Sequence, residues 1–131
     1  MLRGLTTVSF FADDLEAAKD WYAEFLGIAP YFHRPGYYEF RVGDYEHELG
    51  IIDAAYAPRG TRDSVGTLVY WAVDDLTATL ARLIELGAKE HDPVRERGPG
   101  FVTASVTDPF GNVLGIMTNV HYFAVLEKNA G

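Results

Sequence analysis

Few side chains in this chain can coordinate a metal, move a proton or attack a carbonyl, and their positions limit what they can do together. Histidines stand at His33, His47, His91 and His121, and there is no cysteine. That absence excludes thiolate metal sites, cysteine nucleophiles and disulfides. His47 precedes Glu48 in a run that reads as a strand, so the two side chains point to opposite faces and cannot enter one site together. The four histidines read as surface or hydrogen-bonded groups. His121 stands apart because it opens an aromatic tail, His121-Tyr122-Phe123, able to fold over a cavity. No Gly-x-Ser-x-Gly elbow and no phosphate-binding glycine loop occurs, and the glycines fall at turns and helix ends.

The elements that must position these groups come in two copies. A β-rich run into Asp13-Asp14-Leu15, a helical stripe and a stop at Leu26-Gly27 recur as Asp74-Asp75-Leu76 and Leu86-Gly87. The period, about 60 residues, is too long for a solenoid and suits a supersecondary module used twice. In the first copy, Leu5 to Ala12 alternates as a strand, with Thr7, Ser9 and Phe11 on one face. Asp13 or Asp14 caps a helix whose stripe is Leu15, Ala18, Tyr22, Phe25 and Leu26. A short strand fits near Ala29 to Phe32, and Tyr37 to Val42 turns at Gly43-Asp44 into Glu46 to Asp53. Ala57 to Ser64 is polar and reads as a linker. The second copy predicts a strand over Thr67 to Val73 and a helix carrying Leu76, Leu80, Leu83 and Ile84. A short strand within Ala88 to Pro93, a loop over Arg95 to Gly100 and a hairpin of Phe101 to Thr107 with Val113 to Thr118 follow. Asp108-Pro109-Phe110-Gly111-Asn112 is the hairpin's turn. The tail from Asn119 packs at its start and frays at its end.

At 131 residues, the expectation is one domain (1–131) built from modules 5–56 and 66–118 with a tail 119–131. Nineteen acids against 11 bases give a net charge of −8. Nucleic acid is not an expected partner, since phosphate binding needs a basic stripe and the bases are scattered. The acidity favours a cationic small molecule through long-range steering. No apolar run has signal-peptide character or approaches the roughly 20 residues that span a bilayer. A soluble, cytoplasmic protein is expected.

The paired modules, the Asp-Leu-x-x-Ala helix start, the Leu-Gly stop and the late Asp-Pro-x-Gly-Asn turn together resemble the vicinal oxygen chelate superfamily. That group includes glyoxalase I, extradiol dioxygenases, fosfomycin resistance enzymes and bleomycin resistance proteins. The resemblance runs from about Leu5 to Thr118. It implies an α+β fold: two tandem β-α-β-β-β modules forming a cupped, partly open mixed sheet with the helices outside. It also implies a homodimer and, in the metal enzymes, ligands from the first and last strands of each module. Carried onto this chain, those positions are Thr7, Glu48, Leu68 and Gly115. As a set they cannot hold a divalent ion, which needs about three protein donors. No metal and no other cofactor is expected.

On the inner face that the resemblance implies, Thr7, Ser9, Phe11, Glu48, Gly50, Leu68, Tyr70, Gly115 and Met117 line a candidate ligand site, apolar and aromatic with a few hydroxyls. Glu48 is read as a general base, a clamp for a ligand amine, or a partner of Arg41 on the neighbouring strand. The leading functional expectation is a metal-independent small-molecule binding protein similar to bleomycin resistance proteins, taking an aromatic or cationic compound. The alternative is a diverged glyoxalase-like lyase or isomerase, or a dioxygenase, using Glu48 and Tyr70.

Overall fold

The structure is a computed structural model and describes residues 1–63 and 66–131. Two compact units divide between residues 65 and 66. The first runs β1 (Thr7–Ala12), α1 (Leu15–Leu26), β2 (Phe32–Arg34), β3 (Tyr37–Val42) and β4 (His47–Asp53). Its sheet has the order β1-β4-β3-β2, with β1 parallel to β4 and the other pairs antiparallel.

Asp14 starts α1 by accepting a hydrogen bond from the Ala17 amide at 3.0 Å, satisfying one of the amides a helix start leaves over. Gly27 ends the helix in the left-handed conformation, φ 71°. Ala18 and Tyr22 of α1 are buried with Val8, Phe10, Ala12, Phe40, Leu49 and Ile51, and the Phe10 and Tyr22 rings lie 5.9 Å apart. Each large side chain in this set contributes roughly 1.5–3 kcal/mol by leaving water. Thr7 and Ser9, of the opposite parity on β1, are exposed. The helix thus covers one face of the sheet and leaves Thr7 and Ser9 on the other.

The second unit runs β5 (Tyr70–Ala72), α2 (Leu76–Glu85), β6 (Lys89–Gly98), β7 (Phe101–Thr107), β8 (Val113–Asn119) and α3 (Val120–Ala130). Its sheet order, β5-β8-β7-β6, repeats the first with the same parallel pair, β5 with β8. Asp75 caps α2 through the Ala78 amide at 3.0 Å, as Asp14 caps α1. The duplication read from the residues is therefore a duplication of topology, and the α+β architecture of paired β-α-β-β-β modules is the one observed. No helix among the described residues is long and apolar enough to cross a membrane.

Several boundaries differ from expectation. The extra strand of the first module starts at Phe32, beyond Pro30, which has no amide to donate. β4 begins at His47 because Glu46 takes a positive φ of 52° to close the turn. β5 keeps three of the seven residues expected. The segment read as a linker holds a 3-10 turn at Thr61–Asp63, and its last residue, Ser64, lies outside the described residues.

Two expectations are overturned. The loop expected over Arg95 to Gly100 is largely strand, because β6 runs through Pro93 to Gly98. It does so as an edge strand with three register shifts, between Glu90 and Asp92, Asp92 and Arg95, and Glu96 and Gly98. Edge strands and bulges are where a sheet tolerates proline. The tail does not end as frayed coil but forms α3, whose start is fixed by the Asn119 side chain accepting from the His121 and Tyr122 amides at 2.9 and 3.2 Å. Its first turn also packs as expected, with the His121 ring edge-on to Phe101 at 4.9 Å.

Candidate functional site

Residues opposite one another on neighbouring strands share a face. In the first module the register sets three rows on the face away from α1. These are Thr7, Glu48 and Arg41; Ser9, Gly50 and Glu39; and Phe11, Ile52 and Tyr37. The expected Thr7, Ser9, Phe11, Glu48 and Gly50 are thus brought together. The Thr7 hydroxyl donates to Glu48 Oε1 at 2.7 Å. Arg41, opposite Glu48 in register, does not pair with it. Its guanidinium instead lies 3.9 Å from the centre of the Tyr31 ring and 3.9 Å from Glu46 Oε1. The Glu48 carboxylate is therefore held by a hydroxyl and has no ion-pair partner among the described residues.

Tyr37 and Glu39 complete this face and were missed from the sequence, although their period-2 spacing with Arg41 places all three on one side of β3. The Tyr37 hydroxyl donates to Glu39 Oε1 at 2.6 Å. Its ring lies across Gly50, where a Cβ would stand 2.8 Å from Cε1 and 2.9 Å from the hydroxyl. Burial pushes the phenol above its usual range near 10, helped by the hydrogen bond to Glu39 and by the charges of Glu39 and then Glu48. A phenol that ionises near 10 when unfolded and higher when folded contributes its full stability below pH 10 and loses it as pH rises through the folded value. Unfolding midpoints in urea should therefore fall from about pH 10 upward, and less steeply in Tyr37→Phe. Equal slopes for both proteins would show that this proton is not held by the fold.

In the second module the corresponding rows are Tyr70, Gly115 and Ser105, and Ala72, Met117 and Thr103. Tyr70, Gly115 and Met117 fall on one face as expected. Leu68 does not join them, lying ahead of β5 and 37% exposed. A Cβ at Gly115 would stand 2.5 Å from the Val69 carbonyl oxygen and 2.8 Å from Tyr70 Cδ1, so no side chain fits there without moving the backbone. Ser9 and Tyr70 each lie five residues before their capping aspartates, and they pair with Gly50 and Gly115. By register the counterpart of Gly115 is thus Gly50, and that of Glu48 is Val113.

The residues present do not fit the divalent ion of the family's metal enzymes. Two of the four carried positions are Leu68 and Gly115, and Thr7 is already bonded to Glu48. Among the described residues, no three histidines, aspartates or glutamates converge. The polar groups sequence reasoning missed on the second module's face are organised differently. His91 Nδ1 lies 2.8 Å from Ser105 Oγ, and Arg97 Nε donates to Thr103 Oγ1 at 3.0 Å. Asp92 accepts from Arg95 Nε at 3.0 Å and lies 3.5 Å from Arg97, and the hydrogen bond from Arg95 holds its carboxyl below the usual range.

The family model described as Glyoxalase/Bleomycin resistance protein/Dioxygenase superfamily matches residues 4–116. The chain belongs to that superfamily. No curated sequence matches significantly. Among solved structures, the fold is similar to lactoylglutathione lyase from Agrobacterium tumefaciens (TM-score 0.67, 19% identity, 89% of this chain and 94% of that one). It is also similar to a glyoxalase-related enzyme from Fulvimarina pelagi (TM-score 0.66, 21% identity, 90% and 89%). A third is a bleomycin resistance determinant encoded on the transposon Tn5 (TM-score 0.65, 18% identity, 90% and 99%). At these identities the likeness is one of fold.

Proposed function

We propose that this chain is a small-molecule-binding protein that has lost the family metal site and sequesters an aromatic or cationic compound, as the name of its bleomycin resistance neighbour suggests. In this reading it is a single domain acting in the cytoplasm as a homodimer. The observation that carries it is the Glu48 carboxylate, held by Thr7 on a sheet face floored by Gly50 and shared with Tyr37, Glu39 and Phe11. A carboxylate without a cationic partner, beside aromatic rings, offers charge complementarity and contact area to a flat cation. Ser9 and Thr7 add hydroxyls that orient a polar substituent.

The test compares two ligands of one shape, a cationic aromatic amine and its neutral analogue, found by thermal-shift screening and measured by calorimetry. Glu48→Gln keeps the volume and removes the charge. Affinity for the cation should fall by roughly 1–3 kcal/mol, the scale of a charge-assisted hydrogen bond, and that for the neutral analogue should barely change. Equal losses for both would remove the electrostatic part of the proposal.

A further inference from the structure

β6 spends three register shifts in ten residues, and two of them concern charged or titratable side chains. Between Glu90, opposite Val106, and Asp92, opposite Ser105, the extra residue is His91. Between Glu96, opposite Val102, and Gly98, opposite Phe101, it is Arg97. An extra residue in a bulge leaves the alternation of the strand, and its side chain is re-aimed. Both side chains end on the same neighbours' face: His91 against Ser105 and Arg97 against Thr103.

Ser105 and Thr103 are themselves buried, 1% and 5% exposed, and stand two residues apart on β7, about 7 Å along one face. Each pins one nitrogen of its partner. Ser105 takes up Nδ1 of His91 and leaves Nε2, while Thr103 takes up Nε of Arg97, Asp92 lies 3.5 Å from its Nη2, and Nη1 is left to face a ligand. The side chains are thus held in place before any ligand arrives, which lowers the ordering cost of binding. The charges sum in favour of an anion. Arg95 and Arg97 share the single carboxylate of Asp92, leaving one positive charge in excess within a chain of net charge −8.

The geometry points to an anion subsite on the second module, in which His91 and Arg97, positioned by Ser105 and Thr103, grip the carboxylate or phosphate group of a small molecule. Arginine is suited to this by its planar fork, and Asp92 would keep the site from holding anions indiscriminately. This goes beyond the cation reading of Glu48 and stands or falls separately from it, since it uses residues of the second module alone.

The experiment is an NMR titration of the isotopically labelled full chain with phenyl phosphate, benzoate and neutral benzyl alcohol, following the His91 ring and the Arg97 side-chain NH. Saturable shifts at both residues are expected with one or both anions and not with benzyl alcohol, and the tighter anion identifies the group. Arg97→Gln should weaken binding about tenfold or more, Ser105→Ala several-fold, and Arg82→Gln on α2 not at all. Arg97→Lys keeps the charge but not the fork, and weakened binding in that variant carries the test should Arg97→Gln fail to fold. Shifts of equal size with benzyl alcohol, shifts shared equally with Arg82 and Lys128, or unchanged affinity in the Arg97 variants would overturn the subsite.

Discussion

Gly115→Glu is expected to destabilise the protein by about 3 kcal/mol or more and to bind no metal, although it places a carboxylate at one of the four positions onto which the resemblance carries the family's ligands. A Cβ there would stand 2.5 Å from the Val69 carbonyl oxygen, and that atom belongs to the backbone beside β5 and cannot swing aside. The carboxylate would add the cost of burying a charge at a buried position. Gly115→Ala separates the two contributions and should itself cost about 1–3 kcal/mol. Trimming Tyr70 to alanine should not rescue it, because the nearer obstacle is the carbonyl. Gly50→Ala makes the contrast. Its obstacles are the far atoms of the Tyr37 ring, which can rotate, so the smaller loss there should vanish when Tyr37 is also replaced by alanine. Denaturant midpoints of these five variants check this, and a Gly115→Glu protein as stable as the parent would refute the packing argument.

Asp108→Ala should cost a further large amount, about 3 kcal/mol, without touching either candidate face. Asp108 is 3% exposed, and its carboxylate accepts from the Phe110 and Asn112 amides at 2.9 and 2.8 Å and from the Asn112 side chain at 3.0 Å. The Asp108 amide in turn donates to the Asn112 carbonyl at 2.8 Å, closing the turn between β7 and β8. Removing the carboxylate takes the acceptor away from three part-buried donors, the costly side of hydrogen-bond energetics. Asp108→Asn keeps one acceptor oxygen and should lose less. Unfolding measured by circular dichroism should rank the parent, Asn and Ala proteins in that order, and an Ala variant within about 0.5 kcal/mol of the parent would show the turn to be dispensable.

The parts of this molecule that could be read from its residues are those built from local rules. Asp14 and Asp75 cap helices, Ala18, Tyr22 and Leu83 point inward at helical spacing, and Asp108 to Asn112 turns, because each depends on a few neighbours in sequence. The first module's face was legible for the same reason: period 2 through Thr7 and Ser9, and through Glu48 and Gly50, survives into regular ladders. Tyr37 and Glu39 obey that period too, and the spacing to Arg41 places them on the same face. The second module's polar cluster could not have been found this way. His91 and Arg97 reach Ser105 and Thr103 only because bulges interrupt the alternation, and nothing in the run Lys89 to Gly98 marks where the extra residues fall. Proline at 93 and the charges after it suggested a loop, and pairing with β7 on the one available edge overrode that local preference. The helix α3 was missed although Asn119 is a favoured cap and nothing from Val120 to Ala130 breaks a helix.

The chain keeps the superfamily's fold, and the proposed function holds that its metal chemistry has been given up for binding. Elemental analysis of the purified protein after incubation with Zn, Ni, Fe and Mn and removal of excess ion tests it most directly. No stoichiometric metal is expected in the parent, and no difference on replacing Glu48 by alanine. About one ion per chain, lost in Glu48→Ala, would contradict it.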